Sequence, residues 1–390
     1  MTDTLTPTTQ ANSATAAALP DRELNVGVVG AGAIARLSHL PAISATVGLR
    51  VAGIADPGLE RAQELAAEYD ATAYAGYQEM FEREDLDMVL VAIPNHLHRG
   101  VIEDAAAAGI HVFCEKPVAH TLVDAIAAYE ACEKAGVRMQ VGFNQRFWQP
   151  VQIAHHAIQA GVIGEVQGFQ STYAEAFNKY PSATAFRYDL SQSGGAAILD
   201  LGSHRVDLAR YLLGDIVEVC ATIDHRVIPY PADDNVFLLL RFASGATGTI
   251  ASNRFSPQVA ASTELYGPEG TIQISTETRN PFASVPLAVS SLLPFEELPV
   301  ELQQADWPQA WWNPYEPGSW LELVPPRTNS YEAEWAAFEN AVRGATTTAP
   351  SGLDGVKAQE VITAAYRSVR THGWVSLPLD DPEEPIPSYS

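Results

Sequence analysis

From Leu24 onward, apolar positions fall into short β-branched runs separated by Ala-rich amphipathic stretches. The runs Leu24–Val29, Leu49–Ala55, Met88–Ile93, His111–Cys114 and Arg138–Gly142 predict strands, since strands covered on both faces read as nearly continuous apolar blocks. Helical spacing over Leu59–Tyr69, Leu97–Ala108 and Leu122–Ala135 fills the intervals, with Gly109 and Gly136 at the breaks. This alternation predicts an α/β Rossmann domain, a doubly wound parallel sheet, over residues 24–145.

Near Asn144 the rhythm changes. A helix is expected over Val151–Ala160, then longer alternating runs at Val166–Ala176, Val217–Val227, Val236–Phe242, Gly248–Phe255 and Ser262–Ile274. Turn-rich stretches at Ala243-Ser244-Gly245 and Gly267-Pro268-Glu269-Gly270 make this an α+β domain with a large, mostly antiparallel open sheet over 146–378. Ala196–Leu213 interrupts the strands with helical spacing; Tyr331–Arg343 and Leu353–Thr371 predict further helices, and Trp374–Leu377 a last strand. Residues 277–330, rich in Pro and Trp, carry no assignable pattern. Residues 1–23 read as a disordered Thr/Ala-rich leader, and 379–390 as a mobile, acidic, Pro-rich tail.

Composition narrows the partners. The formal charge of -24 repels phosphodiester backbones and anionic lipid heads, which argues against nucleic-acid and membrane partners. Three cysteines, none in a CxxC pair, suit a reducing compartment, and the leader lacks both the basic start and the apolar run of a signal peptide. A cytoplasmic protein is expected.

The first strand runs into Gly30-Ala31-Gly32-Ala33-Ile34-Ala35. Gly30 suits a tight turn, Gly32 lets backbone approach a pyrophosphate, and Ala35 lets helix and strand pack closely. The N–H groups around Ala33 and Ile34 then face the phosphates at a helix N-terminus. Asp56, ending the second strand, can accept hydrogen bonds from ribose hydroxyls and would repel a 2′-phosphate, so NAD is favoured over NADP. Its alternative role is to cap the next helix. Arg61 lies too far along to be assigned to a phosphate.

Cys114-Glu115-Lys116-Pro117 lies at the mouth of this nucleotide-binding half, and Asp200-Leu201-Gly202-Ser203-His204 supplies a carboxylate and an imidazole downstream. An ammonium, a carboxylate and an imidazole beside a dinucleotide are the parts needed to remove a proton and a hydride from a carbinol. Together, Gly30–Ala35, Pro94-Asn95-His96-Leu97-His98, Glu115-Lys116-Pro117 and Asp200–His204 resemble the glucose-fructose oxidoreductase / inositol dehydrogenase / MocA (Gfo/Idh/MocA) family, from about Leu24 to Leu377. The resemblance implies a Rossmann domain followed by an α+β domain with an open sheet used for oligomer contacts, here a dimer or tetramer. It implies that Pro94, Asn95, His98, Glu115 and Lys116 lie along the cofactor. It also puts Lys116 at the reacting hydroxyl and His204 in acid/base work. Asp200, four positions before His204, would orient the imidazole or the substrate. Sequence leaves open whether Lys116 or His204 is the base. His96 and His98 point to opposite sides of an extended segment with no clustered carboxylate or thiolate, so no metal is expected.

Arg146 can bind a hydroxyl-rich or anionic group, or form an inter-domain ion pair; its planar fork suits both. Tyr173, Lys179 and Arg187 are candidate substrate residues at the rim. Trp307–Asn313, with Tyr315 and Trp320, either stacks on a sugar or serves packing. The leading reading is an NAD-dependent dehydrogenase acting on a ring hydroxyl of a sugar, glycoside or cyclitol. The alternative is an NAD-dependent glycosidase using transient oxidation, on an anionic sugar such as a sulfoquinovoside. A third, a non-catalytic NAD sensor, would have no need of Lys116, Asp200 and His204.

Overall fold

The computed structural model describes residues 22–177, 186–256, 260–275, 285–305 and 315–389. Six strands, β1 (Leu24–Val29), β2 (Leu49–Ala55), β3 (Thr72–Tyr74), β4 (Met88–Val91), β5 (His111–Cys114) and β6 (Met139–Val141), form a sheet in the order β3-β2-β1-β4-β5-β6. All its pairings are parallel. Its helices are α1 (Leu40–Ala45), α2 (Leu59–Glu68), α3 (Tyr77–Arg83), α4 (His98–Ala107) and α5 (Leu122–Ala135). The strand order reverses at β1/β4, so the loops after these strands, at Gly30 and Pro94, open the crevice where a dinucleotide lies in such sheets.

A second sheet has nine strands: β7 (Gly168–Ala174), β8 (Ile216–Asp224), β9 (Asn235–Phe242), β10 (Thr247–Asn253), β11 (Ala260–Gly267), β12 (Gly270–Ser275), β13 (Leu287–Ser291), β14 (Trp320–Leu323) and β15 (Val375–Ser376). Its order is β14-β13-β12-β11-β7-β10-β9-β8-β15. Only β7 and β10 run parallel. The remaining helices are α6 (Gln149–Gln159), α7 (Leu190–Ser193), α8 (Ser203–Leu213), α9 (Val300–Gln303), α10 (Ser330–Val342) and α11 (Gly352–Thr371). Helices cover one face. On the other, β9 leaves Phe237 and Leu239 about half exposed between the buried Val236, Leu238 and Leu240, which is the alternation expected of a sheet with one open face.

The end of the chain returns to the first core. Trp335 of α10 is fully buried, with Phe338 and Val342 beside it against β1, β4 and β5, and its ring stacks on Phe113 at 4.6 Å. Truncating such a side chain costs about 3–5 kcal/mol. Arg22 also belongs to this half: its guanidinium forks onto Asp87 at 2.7 and 2.8 Å, so it is not part of a floppy leader.

The tail expected to be mobile is tied down. Glu384, nearly buried, meets Arg367 Nε at 3.0 Å and Arg370 Nε at 2.7 Å, and Arg367 also donates to the carbonyls of Asp381 and Glu383. Two guanidiniums one turn apart on α11 capture one carboxylate, and composition alone does not reveal that pairing.

Candidate active site

The nucleotide cradle is built from backbone. Gly30 has φ 105, and a Cβ there would meet the Ala92 carbonyl oxygen at 2.3 Å, so only glycine makes this turn. A Cβ on Gly32 would meet no heavy atom within 4 Å, leaving open space above the loop where a pyrophosphate can approach. Ala33 is exposed and Ile34 half-exposed at the start of the helix, whose first N–H groups lack intrahelical partners. The helix passes through a π turn at Ala35–His39, just ahead of Pro41, which removes a donor from the ladder.

Asp56 braces this loop. Its Oδ2 accepts from Ala31 N at 2.8 Å and its Oδ1 from Gly58 N at 2.8 Å, while Gly58, not Asp56, is the N-cap of α2. Arg61, too far along to be assigned to a phosphate, reaches back from a turn into α2 to Asp56 Oδ1 at 2.5 Å. The cradle fits a dinucleotide whose ribose meets a carboxylate.

The residues along β4 and β5 divide. Glu115 accepts from His39 Nε2 at 2.7 Å; Trp335 Nε1 donates to His39 Nδ1 at 3.1 Å, which fixes the proton on Nε2. Burial would raise the Glu115 carboxyl, but His39 and Lys116 outweigh it and hold it below its usual range. Two cofactor expectations need correction. His98 is buried, with Nε2 2.8 Å from the Ile93 carbonyl oxygen and Nδ1 3.0 Å from that of Pro117, so its ring ties the start of α4 to the loop after β5. Asn95 donates from Nδ2 to the Ser193 carbonyl at 2.9 Å and links the two halves. Both side chains face protein carbonyls; Pro94 stays half-exposed at the crevice.

Lys116 meets Asp200 across the halves. Its Nζ donates to Asp200 Oδ1 at 2.7 Å and to the Asp200 carbonyl at 2.9 Å. The same carboxylate also faces Arg187 Nε at 3.4 Å and pairs with Arg254. Arg254 in turn binds Glu175 Oε1 at 2.9 Å, both fully buried. Asp200 thus faces three cations at once. Burial, opposed by Glu115 and reinforced by the Arg187 and Arg254 charges, brings the Lys116 ammonium down to about 7.

His204 opens α8. Burial, then the Lys116 and Arg205 charges, push its pKa well below the ordinary value, so the imidazole is neutral. Phe143 and Tyr173 flank the ring at centroid distances of 6.4 and 6.2 Å. The expected alignment of Asp200 with His204 fails. Ala197–Gly202 is a π turn, whose wider pitch breaks the i, i+4 stacking of an α-helix, and the carboxylate faces Lys116 instead.

Arg146 also departs from its substrate assignment. It donates to Asp207 from Nε at 2.8 Å and Nη2 at 2.5 Å, and Nη2 lies 3.1 Å from Asp354. Burial opposes its charge, but Asp207 and Asp354 hold it ionised. The alternative, an ion pair between parts of the chain, is what the structure shows. Tyr173 and Arg187 do lie at the site; Lys179 and the Trp307–Asn313 stretch fall outside the described residues.

The sequence reading missed Glu175, Arg254, Arg205, His39 and Glu334. A signal existed for two of them. Phe169, Ser171, Tyr173 and Glu175 share the inward phase of β7, and Ile250, Ser252 and Arg254 that of β10, so a charge stands where a core residue is expected. Glu334 is fully buried on α10, and burial, then Glu115 and Asp207, raises its carboxyl well above the usual range.

A glycine-lined phosphate loop and a proton-handling cluster meet at the carboxyl edge of one parallel sheet, as in a nicotinamide-dependent dehydrogenase. The chain belongs to the GFO/IDH/MocA oxidoreductase family: residues 24–143 match its NAD-binding Rossmann fold domain and residues 151–273 its C-terminal domain. It is 27% identical over 395 residues to levoglucosan dehydrogenase of Pseudarthrobacter phenanthrenivorans, covering 92% of this chain and 99% of that one. It is 30% identical over 255 residues to the rhizopine catabolism protein MocA of Rhizobium meliloti, covering 63% of this chain and 76% of that one. Among solved structures, levoglucosan dehydrogenase in complex with NADH and levoglucosan superposes with a TM-score of 0.77 at 26% identity, covering 92% of this chain and 100% of that one. NAD is the cofactor, and the protein is an oxidoreductase.

Proposed function

We propose that this enzyme oxidises a ring hydroxyl of a sugar, glycoside or cyclitol, with Lys116 as the proton acceptor and His204 as a neutral hydrogen-bonding partner on the same oxygen. The observation that carries the reading is the Lys116 ammonium enclosed against Asp200 beside His204, where burial first of all brings its pKa down to about 7. A base is most effective when its pKa lies near the operating pH. NAD, when bound, supplies the hydride acceptor. Asp200 orients the amine, uncharged Lys116 Nζ takes the hydroxyl proton, and the buried imidazole of His204 holds the oxygen. Arg187 and Tyr173 border the sugar, and the Gly30–Ala35 loop with Asp56 holds the dinucleotide.

Cys114 and Cys132 are buried and unpaired and Cys220 is half-buried, which suits a cytoplasmic enzyme. No helix among the described residues is long and apolar enough to cross a membrane. The open face bears Phe237, Leu239, Tyr266 and Trp374 among polar side chains such as Gln170 and Thr249, a surface suited to a symmetric dimer or tetramer.

A screen of sugars, glycosides and cyclitols with NAD tests the proposal, following NADH absorbance and released reducing sugar together. NADH formation without bond cleavage is expected. Cleavage requiring NAD but yielding no net NADH would establish the glycosidase instead.

A further inference from the structure

Arg205, on α8 next to His204, is only 1% exposed, yet no carboxylate among the described residues pairs with it. Its Nε and Nη2 have no hydrogen-bond partner among the described residues. Nη1 reaches Thr263 Oγ1 at 3.4 Å, and Thr263 in turn lies 2.9 Å from Ser171 Oγ. Burial lowers its pKa to about 10, so at neutral pH it remains a cation. A buried guanidinium with unmatched donors is costly, and an apolar side chain would fill this helix position more cheaply. The group that does meet it is the Tyr173 ring, with the guanidinium carbon 4.8 Å from the ring centroid.

Tyr173 connects this cation to the site. It is half-exposed while Arg205 is covered, so the guanidinium lies on the buried side of a ring that still reaches the surface. Tyr173 shares the inward row of β7 with Glu175, which leads through Arg254 to Asp200 and Lys116. Its ring also flanks His204.

We propose that Arg205 is a positioning residue for substrate: its buried charge clamps the Tyr173 ring from behind, and Tyr173 presents the fixed wall against which the sugar lies beside His204. This rests on the reading of the Lys116–His204 cleft as the substrate site. The clamp uses a cation on an aromatic face shielded from water, the setting in which that interaction is strongest. The Thr263 hydroxyl, itself held by Ser171, meets the guanidinium end.

The test is a double-mutant cycle on the full chain with Arg205→Met, Tyr173→Leu and their combination, reading sugar KM, kcat and NADH affinity by fluorescence. Arg205→Met is expected to raise sugar KM about tenfold, in line with a desolvated cation–ring contact, with a smaller change in kcat and unchanged NADH affinity. In the Tyr173→Leu background the same substitution should add nothing. Arg205→Lys, which keeps the charge without the flat fork, should restore most of the lost affinity. If the methionine variant does not fold, Arg205→Lys carries the cycle, with a smaller KM rise that again vanishes without the tyrosine. Losses that multiply independently, or a fall in NADH affinity equal to that for sugar, overturn the proposal. Full activity in Lys116→Ala and His204→Ala would sink the reading of the cleft instead, so the two failures are separable.

Discussion

The nucleotide cradle and the proton-handling cluster sit on the same edge of the molecule but are made in opposite ways. The cradle is six consecutive residues whose function lies in what is missing: a Cβ that would strike Ala92 at Gly30, and one that would fill open space at Gly32. The cluster takes Lys116 from after β5, Glu175 from beyond β7, Asp200 and His204 from the run into α8, and Arg254 from beyond β10. It encloses an amine among charges, and burial above all brings the pKa of that amine down to about 7. A contiguous site made by omission tolerates few substitutions but can be recognised locally. A dispersed site made by charge balance depends on partners that sequence proximity does not reveal.

The largest expected effect falls on the cluster. Lys116→Ala and His204→Ala should each lower kcat/KM by about 10²–10⁴, the range for positioned acid–base groups, while NADH titration shows little change in affinity. Loss of NADH binding instead would place these residues with the cradle. The Lys116 value also gives a pH profile. Because the uncharged amine is the acceptor, oxidation should rise with pH through about 7, and the limb should vanish in Lys116→Ala.

Arg146→Met comes next. Breaking a buried ion pair costs about 3–5 kcal/mol, so chemical denaturation should show a large stability loss. Sugar KM in the surviving folded enzyme should stay near the native value, because the guanidinium is engaged by Asp207 and Asp354. A selective KM rise would return Arg146 to the substrate.

Within the cradle, Gly32→Ala should leave the melting temperature nearly unchanged but weaken NADH binding by about tenfold or more, since the added methyl occupies only the ligand's space. The same change at Gly30, where the turn needs a positive φ, should destabilise the apo fold as well. Smallest of all, Glu384→Ala should cost about 1 kcal/mol, because the two guanidiniums it releases, unlike the nearly buried carboxylate, keep access to water, read as a slight fall in melting temperature.

The same contrast explains what the sequence made legible. Strands β1, β2 and β5 lie where their apolar runs placed them, because a strand buried on both faces is visible as a block. Strands β3, β13 and β14 were not anticipated; they are three to five residues long and too short for a period to show. The Gly30–Ala35 loop was readable because its chemistry is local. Asp200 was legible as a candidate, but its ion pair with Lys116 was not, since a π turn cannot be distinguished from an α-helix by spacing. Arg205 and Glu334 gave no warning, because both stand on helices whose buried faces emerge only from packing.

The central claim is that an amine from the first half and an imidazole from the second converge on one alcohol. A structure with NADH and a bound sugar tests it directly. Lys116 Nζ and His204 Nε2 should both lie within hydrogen-bond distance of the same hydroxyl oxygen, with its carbon facing the nicotinamide. Side chains occupying separate cavities, or a sugar oxygen touched by neither, would contradict it.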